Sequence, residues 1–271
     1  MPVSGRNGGH FTAGLAVSRQ SPERKAEARE RIAGAAADLN ARGMRVFVRI
    51  NSATELARQD VVASVGKAVF GLVVPKVDTP AQLAEHEAQI ARAEADAGLI
   101  EGRTRLIALL ETPKSIFHAL SIAESSSRLI AIGFGVEDYA ATIGLPPEPQ
   151  SMAFAAQTVA TAAHAAGIEA IGLPGSIAEF RDMDALRRIA LMARQLGFTG
   201  SGCIHPAQVP IFNEAFGVSE QEAAEAKEVI EAYERARIEG LGAIAIRGRV
   251  IDIPIYERAM RTIQRAEHSA T

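Results

Sequence analysis

The sequence predicts an α/β protein built on a parallel sheet, and three observations carry that prediction. From Ser21 onward, amphipathic helical segments alternate with short apolar runs, the pattern of repeated β-α units. The runs are continuous rather than alternating, as in "RLIALL" before Glu111, which is how a strand covered on both faces reads. Several runs then end on a polar residue: Arg49 with Asn51, Lys76, Glu111, Asp138 just beyond Gly135, and His205. Such residues at the C-terminal ends of strands occupy the active face of barrels and of open α/β sheets alike.

Composition bounds what such a sheet serves. At 271 residues, 48% apolar and 23% charged, the chain suits one large core, and an α/β barrel takes roughly 250 residues. Two small domains would be joined by a polar or Pro/Gly-rich linker, and none is visible. A net charge of -3, 5% aromatic residues and no Trp leave no footprint for nucleic-acid binding. Cys203 is the single cysteine, so no intramolecular disulfide forms and a reducing, cytoplasmic setting is expected. No run approaches the roughly 20 apolar residues of a membrane span, nor does a basic and apolar leader open the chain.

The helices are marked by their ends. "SPERKAEARERIAGAAADLNARG" has Ser21 as N-cap, Pro22 at the first helical position, Glu23 in the first turn and Gly43 as its stop. Comparable segments cover residues 79–97, 152–166, 183–196 and 220–239, with Ala-rich faces suited to packing on a sheet. Between them six runs read as strands: "RVFVRI", "GLVVPK", "RLIALLE", "LIAIGFG", "EAIGLP" and "GSGCIHP". A closed barrel takes eight. Residues 1–20 are Gly-rich and polar with at most a short "LAV", so they are expected to be a disordered or aberrant leader. The barrel unit is then expected over 21–217, without its opening strand-helix-strand, and a helical extension or lid over 218–271.

The strand-end acids admit two uses. Glu111 and the Glu137–Asp138 pair lie after consecutive strands, so one mouth receives carboxylates from both, as a hard cation such as Mg²⁺ requires. The plainer use is helix capping or surface ion pairing. Against capping, Glu is a poor N-cap and Pro113 already stands where a helix would start. Arg49, inside "VFVRIN", offers a planar fork to a carboxylate or enolate, or pairs structurally with Glu111 or Asp138. Lys76 in "VVPKV" is either a Schiff-base nucleophile or an ion-paired surface lysine. His205, before Pro206, reads as a structural turn residue rather than a base. Cys203 reads as a small hydrophobe, and the glycines of "GFGVED" do not make a dinucleotide fingerprint.

In order, "VFVRIN", "GLVVPKVDTPAQL", "LLETPKSI", "IAIGFGVEDYAATIG", "LGFTGSGCIHPAQVPIFNEAF" and "GRVIDIPIYERA" resemble the HpcH/HpaI aldolase and citrate lyase beta-subunit family. The resemblance runs from about Ser21 to the end, and "IHPAQV" with its helical tail is more similar to the citrate lyase beta and malyl-CoA lyase branch. It implies a (β/α)₈ barrel of the phosphoenolpyruvate/pyruvate type and an Mg²⁺-dependent carbon-carbon lyase acting on a 3-hydroxyacyl thioester of CoA or an acyl carrier. It implies Glu111 and Asp138 as metal ligands, Arg49 and Glu111 as substrate-binding and catalytic residues, and Asp252 in "RVIDIP" as a catalytic C-terminal acid. A homo-oligomer, trimer or hexamer, is implied as well.

The chain departs from the pattern at its start. Members begin with a strand like "LFVPG" and a second strand ending in "DLEDAV", whereas "TAGLAV" stands here. Ser201 occupies a position where "GFxGK" is commoner. Two rival expectations follow: a pyruvate aldolase acting on 2-keto-4-hydroxy acids, and a truncated, non-catalytic member.

Overall fold

The computed structural model describes residues 12–16, 22–178, 182–240 and 242–270. Strand β1 (Thr12–Ala16) leads into α1 (Pro22–Asn40), β2 (Arg45–Arg49), α2 (Thr54–Ser64), β3 (Gly71–Val74) and α3 (Pro80–Asp96). Then come β4 (Arg105–Leu110), the short helices α4 (Pro113–Phe117) and α5 (Ala119–Ala123), β5 (Leu129–Phe134), α6 (Val136–Ile143), α7 (Pro149–Ala165), β6 (Glu169–Gly172) and α8 (Met183–Gln195). All six strands pair in parallel, and their spatial order is their chain order. Consecutive winding without reversal is that of a (β/α) barrel; a doubly wound sheet reverses its order at a switch point.

The segment expected to be a leader contributes a strand. Thr12–Ala16 pairs residue for residue with Arg45–Arg49. Its Gly and Ala carry little β-propensity, so pairing with an already apolar neighbour, not composition, makes it a strand. The rest of the expected leader lies outside the described residues. A second expectation also changes: "GSGCIHP" is not a strand. Only Gly200 bridges to Ile171, with Gly172 N–H donating to Gly200 O at 2.9 Å. Beyond it the buried Gln208 side chain takes over from a ladder, accepting the Ile204 N–H at 2.9 Å and donating to Ile177 O at 3.1 Å.

Why the runs are continuously apolar is visible in the two faces of the sheet. Val46, Val48, Leu72, Val74, Leu106, Ala108, Leu110 and Ile132 form the face under the helices, and each is 0% exposed. The intervening residues Phe47, Ile107 and Ala131 pack with Phe70, Val73, Leu109 and Ile171 on the other face, where burial is less complete. Helix α7 lies close because Ala155, Ala156, Ala160 and Ala163, all buried, present only methyl groups.

Contacts divide the chain into two units, one running through Ala215 and one from Phe216 onward. The expected boundary lay two residues later. Following α9 (Val209–Phe216), the second unit holds α10 (Glu220–Ile238), the antiparallel pair β7 (Ile244–Ile246) and β8 (Arg249–Ile251), and α11 (Ile253–Ala270). Ser219 and Glu222 form a capping box that starts α10, and the Tyr233 and Tyr256 rings meet at 4.9 Å between α10 and α11. No helix among the described residues is long and apolar enough to cross a membrane.

At the N-terminal ends of the strands sits a buried clamp. Glu94 of α3 is 0% exposed and accepts from Arg128 Nη1 and Nη2 at 2.9 and 2.8 Å, from Thr104 N–H at 2.6 Å and from Gly102 N–H at 3.0 Å. Burial alone would raise its carboxyl, but Arg128, Thr104 and Gly102 outweigh it and hold the group at about 2, against an ordinary 4.5. Its proton is therefore held more tightly in the unfolded chain than in the folded one, and the stabilisation present above about pH 4.5 is lost as pH falls through about 2. Glu94→Gln leaves the buried Arg128 with only the longer 3.9 Å ion pair to Glu87 and is expected to cost about 3 kcal/mol at neutral pH. Urea unfolding across acid to neutral pH is expected to show both that loss and a flatter acid limb in the variant.

Candidate active site

Side-chain parity brings the strand-end residues together. Arg49 lies two residues past Phe47, and Glu111 two past Leu109, so both continue the interior face of the sheet beyond the apolar layer. Glu111 is only 2% exposed. Its Oε1 accepts from Arg49 Nη2 at 3.3 Å, and its Oε2 accepts the Lys76 N–H at 3.0 Å. Capping is left to its neighbour: Thr112 accepts the Ser115 N–H at 3.1 Å in a capping box, with Pro113 opening α4. Glu111 is therefore not the cap of α4, and both it and Asp138 are ion-paired.

Asp138 stands in the first turn of α6, where the helix dipole favours an acid. It pairs with Lys76 Nζ at 3.0 Å, with side-chain exposures of 44% for Asp138 and 49% for Lys76. Its neighbour Glu137 turns instead to the Ser176 hydroxyl beyond β6. Lys76 thus joins both acids, its N–H on Glu111 and its ammonium on Asp138. To do so it adopts φ 55°, a left-handed conformation that costs an L residue about 1–2 kcal/mol.

Glu111 fits because residue 135 is glycine. A Cβ there would lie 2.2 Å from Glu111 Cγ and 2.7 Å from Oε1, far inside van der Waals contact. The "GFG" glycine that makes no dinucleotide fingerprint thus clears room for a carboxylate. Below Arg49, the strand end is fixed by a buried network. Asp60 of α2, 0% exposed, accepts the Asn51 N–H at 2.8 Å, Asn51 Nδ2 at 2.5 Å and Arg29 Nε at 2.7 Å. Lys25 Nζ donates to Asn51 Oδ1 at 2.6 Å. Asp60 and Gly135 were missed from the sequence, though Asp60 shares the Ala57, Val61 and Ser64 stripe that buries one side of α2.

Two cations, Arg49 and Lys76, face the two acids, yet burial dominates the state of Glu111. Burial pushes the Glu111 carboxyl up to about 7; Arg49, the Lys76 N–H and the Lys76 ammonium pull it down, while Asp138 pushes it further up. Two oxygen-donor carboxylates reached from adjacent strand ends, one buried and one half-exposed, suit a hard divalent cation. Mg²⁺ is commonly held by one or two carboxylates and completed by water and substrate oxygens. Among the described residues no three His, Cys, Asp or Glu side chains gather into a metal-holding set, so substrate and water would complete the shell.

The other candidates lie elsewhere. His205 is exposed, and its Nδ1 accepts the Ala207 N–H at 3.2 Å to cap the turn at Pro206–Gln208. Cys203 is half-buried and burial raises its thiol. Asp252 belongs to the second unit, where it precedes α11 and accepts the Ile255 N–H at 3.4 Å.

The chain and its fold have recognisable relatives. Residues 16–206 match the family described as HpcH/HpaI aldolase/citrate lyase. Citrate lyase subunit beta of Escherichia coli K12 is 34% identical over 231 residues, covering 84% of this chain and 76% of the relative. L-malyl-CoA/beta-methylmalyl-CoA lyase of Rhodobacter capsulatus is 30% identical over 272 residues, covering 91% of this chain and 84% of the relative. Among solved structures, protein CitE of Mycobacterium tuberculosis in complex with magnesium, acetoacetate and coenzyme A superposes with a TM-score of 0.73 at 25% identity, covering 94% of this chain and 89% of that one. The chain belongs to the HpcH/HpaI aldolase/citrate lyase family, and its barrel is of the family's TIM type. It is a carbon-carbon lyase of that family.

Two outcomes follow from this geometry. The folded, metal-free protein holds the Glu111 proton more tightly than the unfolded chain does, so stability falls as pH rises from about 4.5 through about 7. Thermal melts in chelator are expected to show this slope, and Glu111→Gln to remove it. Gly135→Ala displaces Glu111 and is expected to lower lyase turnover about 100-fold, as misplacement by an ångström does elsewhere, with the far-UV circular dichroism unchanged.

Proposed function

We propose that this chain is an Mg²⁺-dependent lyase that cleaves a 3-hydroxyacyl-CoA thioester of the malyl, citramalyl or citryl type. The observation that carries the reading is the convergence of Arg49, Glu111 and Asp138 at the ends of β2, β4 and β5, with Lys76 between the acids. It is supported by relatives named for malyl-CoA and citrate chemistry, and by the magnesium and coenzyme A of the CitE complex.

Cleavage removes the proton of the 3-hydroxyl, breaks the C2–C3 bond and leaves C3 as the carbonyl of a keto acid. The electron pair passes to C2 and the thioester oxygen as an enolate, and protonation at C2 releases the acyl thioester. Glu111 and Asp138 would hold the ion, which supplies Lewis-acid polarisation of the substrate carbonyl when bound. Arg49 offers Nη2 to the developing oxyanion or to the substrate carboxylate, from a strand end fixed by Asn51 and Asp60. A donor preorganised in this way usually contributes more than any other single effect. Among the described residues the buried Arg49 Nε has no hydrogen-bond partner. Asp252 is assigned the proton transfer on family resemblance.

Incubation with malyl-, citramalyl- and citryl-CoA, with and without Mg²⁺, tests the reading by the release of a keto acid and an acyl-CoA. Glu111→Gln and Asp138→Asn are each expected to lower turnover by about 10²- to 10³-fold, and Arg49→Lys by a similar factor because a point charge replaces a fork. Cleavage of free 2-keto-4-hydroxy acids in place of the thioesters would assign the chain to the aldolase chemistry instead. Inactivity of the wild type on all three thioesters would overturn the proposed substrate class.

A further inference from the structure

Lys76 reaches the two acids through two different kinds of donor, and the difference has a functional meaning. Its N–H to Glu111 Oε2, at 3.0 Å, is main chain and stays in place as long as the loop after β3 does. Its ammonium on Asp138 Oδ1, also at 3.0 Å, rides on a flexible stem that is half exposed. Among the described residues no other cation pairs with Asp138, and the Arg49 fork lies on Glu111. An ammonium at that distance occupies the carboxylate where a metal ion would bind it. A pair this exposed is weak enough for a doubly charged ion to displace.

We propose that Lys76 is a tethered place-holder: its ammonium keeps Asp138 beside Glu111 in the metal-free protein and gives it up to an incoming divalent ion. This rests on the reading of Glu111 and Asp138 as the metal ligands. The left-handed backbone at residue 76 is then the conformation that lets one residue set both acids. A place-holder competes with the metal, whereas a lysine that merely braces the site would assist it, so the two roles predict opposite changes in affinity.

Titration of the apo-protein with Mn²⁺, with free ion read by electron paramagnetic resonance, tests this without turnover. Lys76→Met is expected to bind Mn²⁺ about two- to fivefold more tightly than wild type, the range an exposed ion pair spans. Lys76→Gly keeps the N–H on Glu111 and relieves the backbone strain, so it is expected to tighten binding equally, while Lys76→Arg retains a cation and binds as wild type does. Unchanged or weaker binding in both Lys76→Met and Lys76→Gly overturns the place-holder role. If Glu111→Gln and Asp138→Asn leave Mn²⁺ affinity intact, the metal site itself is misassigned and the proposal falls with it. If they abolish binding while the Lys76 variants match wild type, only the role of Lys76 falls.

Discussion

The site is organised around one unfavourable act, the burial of the Glu111 carboxylate at the mouth of a parallel barrel. Taking a carboxylate out of water is costly unless charge and hydrogen bonds are supplied, and each nearby feature supplies or accommodates something. Arg49 brings positive charge from β2, the loop after β3 is bent so that Lys76 donates its N–H, and β5 ends on a glycine that leaves room. The supply is incomplete, since the carboxyl is still pushed up to about 7. Burial is thus offset only in part by the two donors and the neighbouring cations.

The two ends of the barrel treat buried acids in opposite ways. Glu94 is met by four donors, two of them from a bidentate arginine, and its carboxyl falls to about 2. Glu111 is met by two donors, one of them at 3.3 Å, and its carboxyl rises. The first arrangement is saturated and has nothing to offer a ligand. The second is poised, and it lies where loops rather than strand starts shape the surroundings. Stability at the N-terminal ends of strands and chemistry at the C-terminal ends is the usual division in barrels, and here it is expressed in the degree to which two glutamates are satisfied.

The supporting network adds precision to the same end. Arg49 is useful only if β2 ends at a fixed place, and Asp60 secures that by gathering the Asn51 main chain, the Asn51 amide and Arg29 into one buried knot. Helices α1 and α2 are therefore part of the site's support although neither is known to meet a substrate. The Lys76 pairing completes the set, holding an exposed acid in register with a buried one.

The sequence by itself determined a great deal. Continuous apolar runs marked β2 to β6; Arg49 and Glu111 were legible at strand ends because the strand period sends alternate residues to one face, and Asp138 because it comes soon after β5. What it could not show depended on neighbours distant along the chain. Thr12–Ala16 is a strand through pairing with β2, and "GSGCIHP" is largely not one, because the Gln208 side chain satisfies its backbone. Short helices such as α2 and α6 carry too few turns for their periodicity to stand out, and with α2 the role of Asp60 went unseen. Only the tertiary structure decided that Gly135 clears space for Glu111, that Glu137 and Asp138 part company, and that Lys76 spans both acids. Local pattern reports which face a residue takes, whereas charge balance and steric clearance arise between segments that meet only when the sheet is wound.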